Sequence, residues 1–150
     1  MAGIISRLAQ PADFEVLADS FKLAPDVIFR ALPSSIYCTY PPDAAVVREG
    51  DRGSEVYAVI EGSFSVRHSQ WLLFSKEVAR LKPGELFGEI GFLSPAARLA
   101  SVVAVGYSAA VRIAPAEFKG LLEKNSEFRA RIEALALQRV YGIAKDAKSS

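Results

Sequence analysis

The chain has 150 residues, of which 51% are hydrophobic and 23% charged, and its net charge is +1. That length suits one domain with a packed core, and that composition excludes a disordered chain. The near-zero charge, with no basic block, argues against nucleic acid held along an electrostatic stripe, and no run approaches the ~20 apolar residues needed to cross a bilayer.

Met1 to Arg7 lack both the basic and the long apolar stretch of a secretory leader, so a cytoplasmic location with no membrane partner is expected. From Pro11 to Leu32, apolar residues recur by threes and fours (Phe14, Leu17, Ala18, Phe21, then Val27, Ile28, Ala31, Leu32), as on two amphipathic helices. Pro25 suits the first turn of the second helix and Pro33 ends it, which makes residues 1–34 an N-terminal helical segment. From Ser35 the pattern changes to short runs of Val, Tyr, Phe and Ile, broken by Pro-Pro-Asp, Gly-Asp-Arg-Gly, Glu-Gly-Ser and Lys-Pro-Gly. Residues 35–113 therefore read as a sandwich or barrel of jelly-roll type. Within it, the single Cys38 cannot form an internal disulfide and reads as a small buried hydrophobe, and Trp71 reads as strand and core. Helical periodicity returns over residues 114–145. There Phe118, Leu121 and Leu122 make one face, and Phe128, Ile132, Leu135, Ala136, Arg139 and Ile143 mark a long helix from Asn125 to Ala144; residues 146–150 read as a frayed tail.

The chemistry concentrates in Phe87-Gly88-Glu89-Ile90-Gly91-Phe92-Leu93, followed by Pro95-Ala96-Ala97-Arg98-Leu99-Ala100-Ser101. Pro83-Gly84 punctuates, Leu86-Phe87 has strand character, and Gly88 allows a ligand close to the backbone. Glu89 to Leu93 is long enough for about one helical turn, whose first N–H groups lack partners and favour phosphate. Arg98 adds a planar, permanently charged fork that suits phosphate oxygens. Glu89 repels phosphate, and as an acceptor-only group it suits a sugar hydroxyl. Ser101 offers one hydroxyl beside the site. A carboxylate and a guanidinium so separated can grip the two ends of a small phosphorylated sugar.

Residues 83–104 resemble the phosphate-binding cassette of the cyclic nucleotide-binding domain family, and Glu49-Gly50-Asp51-Arg52-Gly53-Ser54-Glu55-Val56-Tyr57-Ala58-Val59-Ile60-Glu61-Gly62 resembles that family's paired-strand signature. With their flanks the two motifs cover roughly residues 15–145. The resemblance implies a mainly β fold: a β jelly roll, or double-stranded β-helix, with N-terminal helices and a C-terminal helical lid. It implies that Gly88 and Glu89 hold the ribose 2′-OH, and that Arg98 and the backbone amides of Ile90, Gly91, Leu99 and Ala100 hold the cyclic phosphate. The lid residue over the purine would come from the last helix, where Arg131, Leu135, Arg139 and Tyr141 are candidates and Leu135 and Arg139 are preferred. Two positions depart from the family pattern. Ala97 stands where proline is usual before the arginine, and Leu99 stands where a small or hydroxylated residue is usual, which argues for cAMP over cGMP.

The resemblance thus implies a cytoplasmic, non-enzymatic receptor whose ligand is cAMP, or else cGMP, with no cofactor and no metal. His68 is the only histidine, too few for the ligand set of a metal-dependent enzyme and without a partner for a Ser-His-Asp set, and it reads as solvent-facing. Phe92 or Leu93 would pull on the face of Phe118, Leu122 and Phe128 as the last helix closes. No DNA-binding or second nucleotide module has room, so the effector would be a protein in trans or a missing segment of a longer chain, and a homodimer through the last helix is plausible. The alternative, motivated by Ala97 and Leu99, is a degenerate fold that serves as an interaction or dimerisation module.

Overall fold

The computed structural model describes residues 5–70, 74–94 and 97–149. In chain order it forms β1 (Ile5–Leu8), a 3-10 turn (Pro11–Phe14), α1 (Glu15–Phe21), α2 (Pro25–Ala31), β2 (Ile36–Tyr40), β3 (Ala45–Val47), β4 (Val56–Glu61) and β5 (Phe64–Gln70). It continues with β6 (Phe74–Leu81), β7 (Leu86–Phe87), α3 (Glu89–Leu93), β8 (Ser101–Ala104), β9 (Ser108–Ile113), α4 (Pro115–Lys124) and α5 (Ser126–Ser149). One sheet has the order β1-β2-β9-β4-β7 and the other β3-β8-β5-β6, with every pairing antiparallel. This is the expected jelly roll.

The side-chain period of two decides how the layers stack. In β4, Tyr57 and Val59 face the second sheet, where they meet Phe64 and Val102, with Phe87 of β7 and Ala110 of β9 beside them in their own sheet. Val56 and Ala58 face the helices, with Val111 and Ile113 of β9 beside them and Phe14, Leu17, Phe21, Phe118 and Phe128 above. Both faces of β4 are covered, which is why it reads as a continuous apolar run. Each large apolar side chain buried this way contributes about 1.5–3 kcal/mol before entropy is counted. Tyr57 stacks on Phe87 with ring centroids 4.8 Å apart, which fixes the strand that leads straight into α3.

The N-terminal segment is not wholly helical. Ile5–Leu8 adds an edge strand to β2, in register from Ile5 with Thr39 to Leu8 with Ile36. All four residues are exposed, so no buried face announces the strand in the sequence. Arg7 ties it down: its guanidinium lies 4.1 Å from the Tyr37 ring centre and makes a two-pronged pair with Asp13, at 2.8 and 3.0 Å. The last helix also differs, since α5 continues through Lys145 to Ser149 in place of the expected frayed tail. Beyond Gly142 the chain holds no glycine or proline to stop it, and alanine and lysine favour helix. Trp71, Pro95 and Ala96 lie outside the described residues. Among the described residues no helix is long and apolar enough to cross a membrane.

Burial alone pushes the Asp13 carboxyl up, but the bonds from Arg7 and from the Gln10 N–H outweigh it and hold the group below its ordinary value. A depressed carboxyl stabilises the fold fully above its unfolded pKa, and the contribution is lost as pH falls through the folded one. Asp13→Asn should therefore lower the melting temperature at neutral pH and flatten its fall below the usual carboxylate range. Thermal scans of both proteins between neutral and acid pH read this directly, and parallel curves would contradict it.

Candidate functional site

Three pieces of chain meet at one cavity of about 660 Å³. The turn from Gly88 to Gly91 and the segment Arg98 to Ala100 form one wall, β6 residues from Lys76 to Leu81 form another, and α5 covers them with Leu135, Gln138, Arg139 and Gly142. Those four α5 residues are spaced by three, one and three, a single helical face.

Gly88 caps α3 in the left-handed region at φ +89°, a conformation side chains rarely adopt. A Cβ there would also lie 2.5 Å from the Glu55 carbonyl and 3.0 Å from Arg98 Nη1, and one on Gly91 would lie 3.0 Å from the same nitrogen. The two glycines make room for the Arg98 guanidinium, which is buried at 8% exposure. Its Nη1 donates to the Gly88 carbonyl at 3.3 Å and its Nη2 to the Glu55 carbonyl at 3.2 Å. The carboxylate paired with it is that of Glu55, 3.9 Å away on a side chain 47% exposed. The backbone of Arg98 is pinned too, its N–H donating to Asp51 O at 2.7 Å and its carbonyl accepting from Gly50 N–H at 2.8 Å.

Glu89 is buried at 1% exposure, and its carboxylate does not pair with Arg98. It accepts from Arg139 Nη1 of α5, and that same nitrogen donates to the Leu86 carbonyl at 2.6 Å. On the far side of α3, Phe92 packs edge-on against Phe118 at 5.0 Å, and Phe118 meets Phe128 at 6.2 Å, so the cassette turn touches α4 and α5 through aromatic rings. Burial pushes the Tyr57 phenol up, Glu55 adding to the shift while Arg112 and Arg98 oppose it, so the ring beside the site stays neutral.

Of the residues singled out in the sequence, Gly88, Glu89, Ile90, Gly91, Arg98, Leu99 and Ala100 line the cavity together with Leu135 and Arg139. Ser101 does not: its hydroxyl accepts from the Glu49 N–H at 2.9 Å and so belongs to the supporting loop. Of the other lid candidates, Arg131 donates to the Phe21 carbonyl at 2.6 Å and Tyr141 is 70% exposed, both away from the cavity wall. His68 is not solvent-facing as expected; its side chain is 18% exposed and bonds to the cassette. The β6 wall from Lys76 to Leu81, Gln138 and Gly142 of α5, and Glu55 beside Arg98 escape the sequence reasoning. Gln138 is reachable by helical spacing from Leu135, whereas Glu55 stands in irregular chain just ahead of β4 and carries no periodic signal. Among the described residues no group of His, Cys, Asp and Glu is placed to hold a metal ion.

The family model for the cyclic nucleotide-binding domain matches residues 37–125. The chain is 31% identical over 121 residues to the potassium/sodium hyperpolarization-activated cyclic nucleotide-gated channel 3 of Homo sapiens, a match covering 81% of this chain and 15% of the channel. It is 37% identical over 67 residues to the cAMP-dependent protein kinase regulatory subunit of Mycosarcoma maydis, covering 45% of this chain and 13% of that protein. The chain thus matches only about a seventh of the length of these relatives. Among solved structures, a cyclic nucleotide-binding domain from Methylobacillus flagellatus superposes with a TM-score of 0.75 at 15% identity, over 97% of this chain and 86% of that one.

Arg139→Met would leave the Glu89 carboxylate buried without its partner. The expected loss is about 2–3 kcal/mol, less than for a fully buried pair because Arg139 keeps 22% of its side chain in water. Adding Glu89→Gln to that variant should recover part of the loss, and urea denaturation of the single and double variants measures both numbers.

Proposed function

The chain belongs to the cyclic nucleotide-binding domain family, and we propose that this domain is a cytoplasmic, non-enzymatic receptor for a cyclic purine mononucleotide, cAMP ahead of cGMP. The observation that carries the reading is the under-neutralised Arg98. A buried guanidinium held by two carbonyls, with a half-exposed carboxylate at 3.9 Å, gains most from an anion brought to it. The cyclic phosphate supplies that anion, and the amides of Ile90, Gly91, Leu99 and Ala100 on the same wall supply donors.

Glu89 takes the ribose 2′-OH in this reading. An ionised carboxylate offers about four lone-pair sites, so it accepts the hydroxyl while Arg139 remains bonded to it. Ligand and α5 then share one carboxylate. The base lies between β6 and the α5 face of Leu135, Gln138 and Arg139, and Leu99, which lacks a hydroxyl, gives no help to guanine. Binding favours the arrangement in which α5 is docked, and Phe92 transmits the same preference to Phe118 and Phe128. The response is a population shift limited by the ligand's preference for that arrangement. The kinase relative's name includes cAMP and regulation, which supports both the ligand and an effector reached in trans or on a longer chain.

One observation favours the second reading, an interaction module that has lost its nucleotide: Arg98 and Glu89 both have partners within the chain. Calorimetric titration with cAMP and with cGMP, on protein stripped of copurifying nucleotide, separates the two. The receptor binds about one ligand per chain and gains about 2.7 kcal/mol of stability at a hundredfold excess over Kd. Arg98→Ala removes both effects. Silence from folded protein with both ligands would reject the receptor and leave the module.

A further inference from the structure

The chain's one histidine bonds to the cassette from behind. His68 on β5 places Nδ1 3.1 Å from the Leu99 carbonyl oxygen. That oxygen only accepts, so Nδ1 carries the hydrogen. A second acceptor, Glu49 Oε1, lies 3.5 Å from the same nitrogen and is itself held by the Ser69 N–H at 2.9 Å. The Glu49 N–H in turn donates to Ser101 Oγ at 2.9 Å. The segment from Arg98 to Ser101 is therefore backed by a small polar network drawn from β5 and the loop ahead of β4.

A trans peptide is planar, and its C=O and N–H point opposite ways. Holding the Leu99 oxygen toward His68 thus aims the Ala100 N–H away from His68. Arg98, Leu99 and Ala100 line the cavity, whereas His68 and Glu49 do not. Ala100 also lies one residue ahead of the β8 ladder, so no strand pairing fixes that peptide. We propose that His68 is a positioning residue, which orients the Leu99–Ala100 peptide and through it sets the affinity of the cassette for the ligand's phosphate. The inference rests on the receptor reading.

Two variants separate orientation from packing. In His68→Asn the amide nitrogen stands near the place of Nδ1 and still donates; in His68→Leu the volume is kept and the donor is lost. Titration with cAMP should show the leucine variant binding about five- to tenfold more weakly than the parent, the scale of one lost hydrogen bond, and the asparagine variant within about threefold of it. Nitrogen NMR of the unliganded parent should show the His68 Nδ1 protonated. Equal weakening in both variants, parental affinity in the leucine variant, or a bare Nδ1 would each overturn the role of His68 while leaving the receptor standing. A parent protein that binds neither cAMP nor cGMP would overturn the receptor reading and this role with it.

Discussion

A guanidinium buried at the junction of three chain segments organises the site. Arg98 brings a full charge to a place with 8% exposure, and the surrounding backbone is arranged to receive it. The carbonyls of Gly88 and Glu55 take its hydrogens, Gly88 and Gly91 give it space, and the loop at Gly50 and Asp51 clamps its backbone on both sides. The two glycines cannot be exchanged freely, because any Cβ at either position would press on the guanidinium or on a carbonyl. The charge is solvated by dipoles rather than matched by a close counter-ion. Such an arrangement is stable enough to fold and still responsive to an anion.

The second charge pair ties that wall to the rest of the molecule. Glu89 sits one residue past the glycine that receives Arg98, yet it faces α5 and holds Arg139. Opposite charges nine positions apart, on Arg98 and Glu89, are thereby sent to different partners, one to the loop before β4 and one to the long helix. α3 has only five residues, and its far side is the aromatic contact of Phe92 with Phe118. A change at the cassette therefore meets α5 by two routes, one electrostatic and one apolar. His68 adds a brace from the opposite direction, at the turn where the strand ladder has not yet begun.

Much of this architecture is legible in the order of the residues. The short apolar runs of β4 and β9, the helical spacing of Leu17 with Phe21 and of Phe118 with Leu121 and Leu122, and the prolines at the first turns of α2 and α4 are local signals, and the elements form where they say. The cassette is legible for the same reason, since its glycines, Glu89 and Arg98 lie within a dozen residues. Ile5–Leu8 is not, because a fully exposed edge strand has no hydrophobic pattern and exists only through its pairing with β2. Ser101 departs from its expected place at the cavity because a strand-end hydroxyl can turn to either side, and here the Glu49 N–H claims it.

The jelly roll, the order of its helices and the composition of the cassette can all be read from the amino-acid order alone, because each depends on side-chain period and turn chemistry over a few residues. Which side chains face one another is a matter of tertiary packing. Glu89 and Arg139 are 50 residues apart, and Arg98 and Glu55 are 43 apart; their meeting is set by sheet register and by the way α5 lies across the cavity. A carboxylate and a guanidinium nine positions apart suggest a pair in one dimension, whereas packing gives each a different partner. Contacts of that kind follow from the sum of many buried surfaces, and no local pattern encodes them.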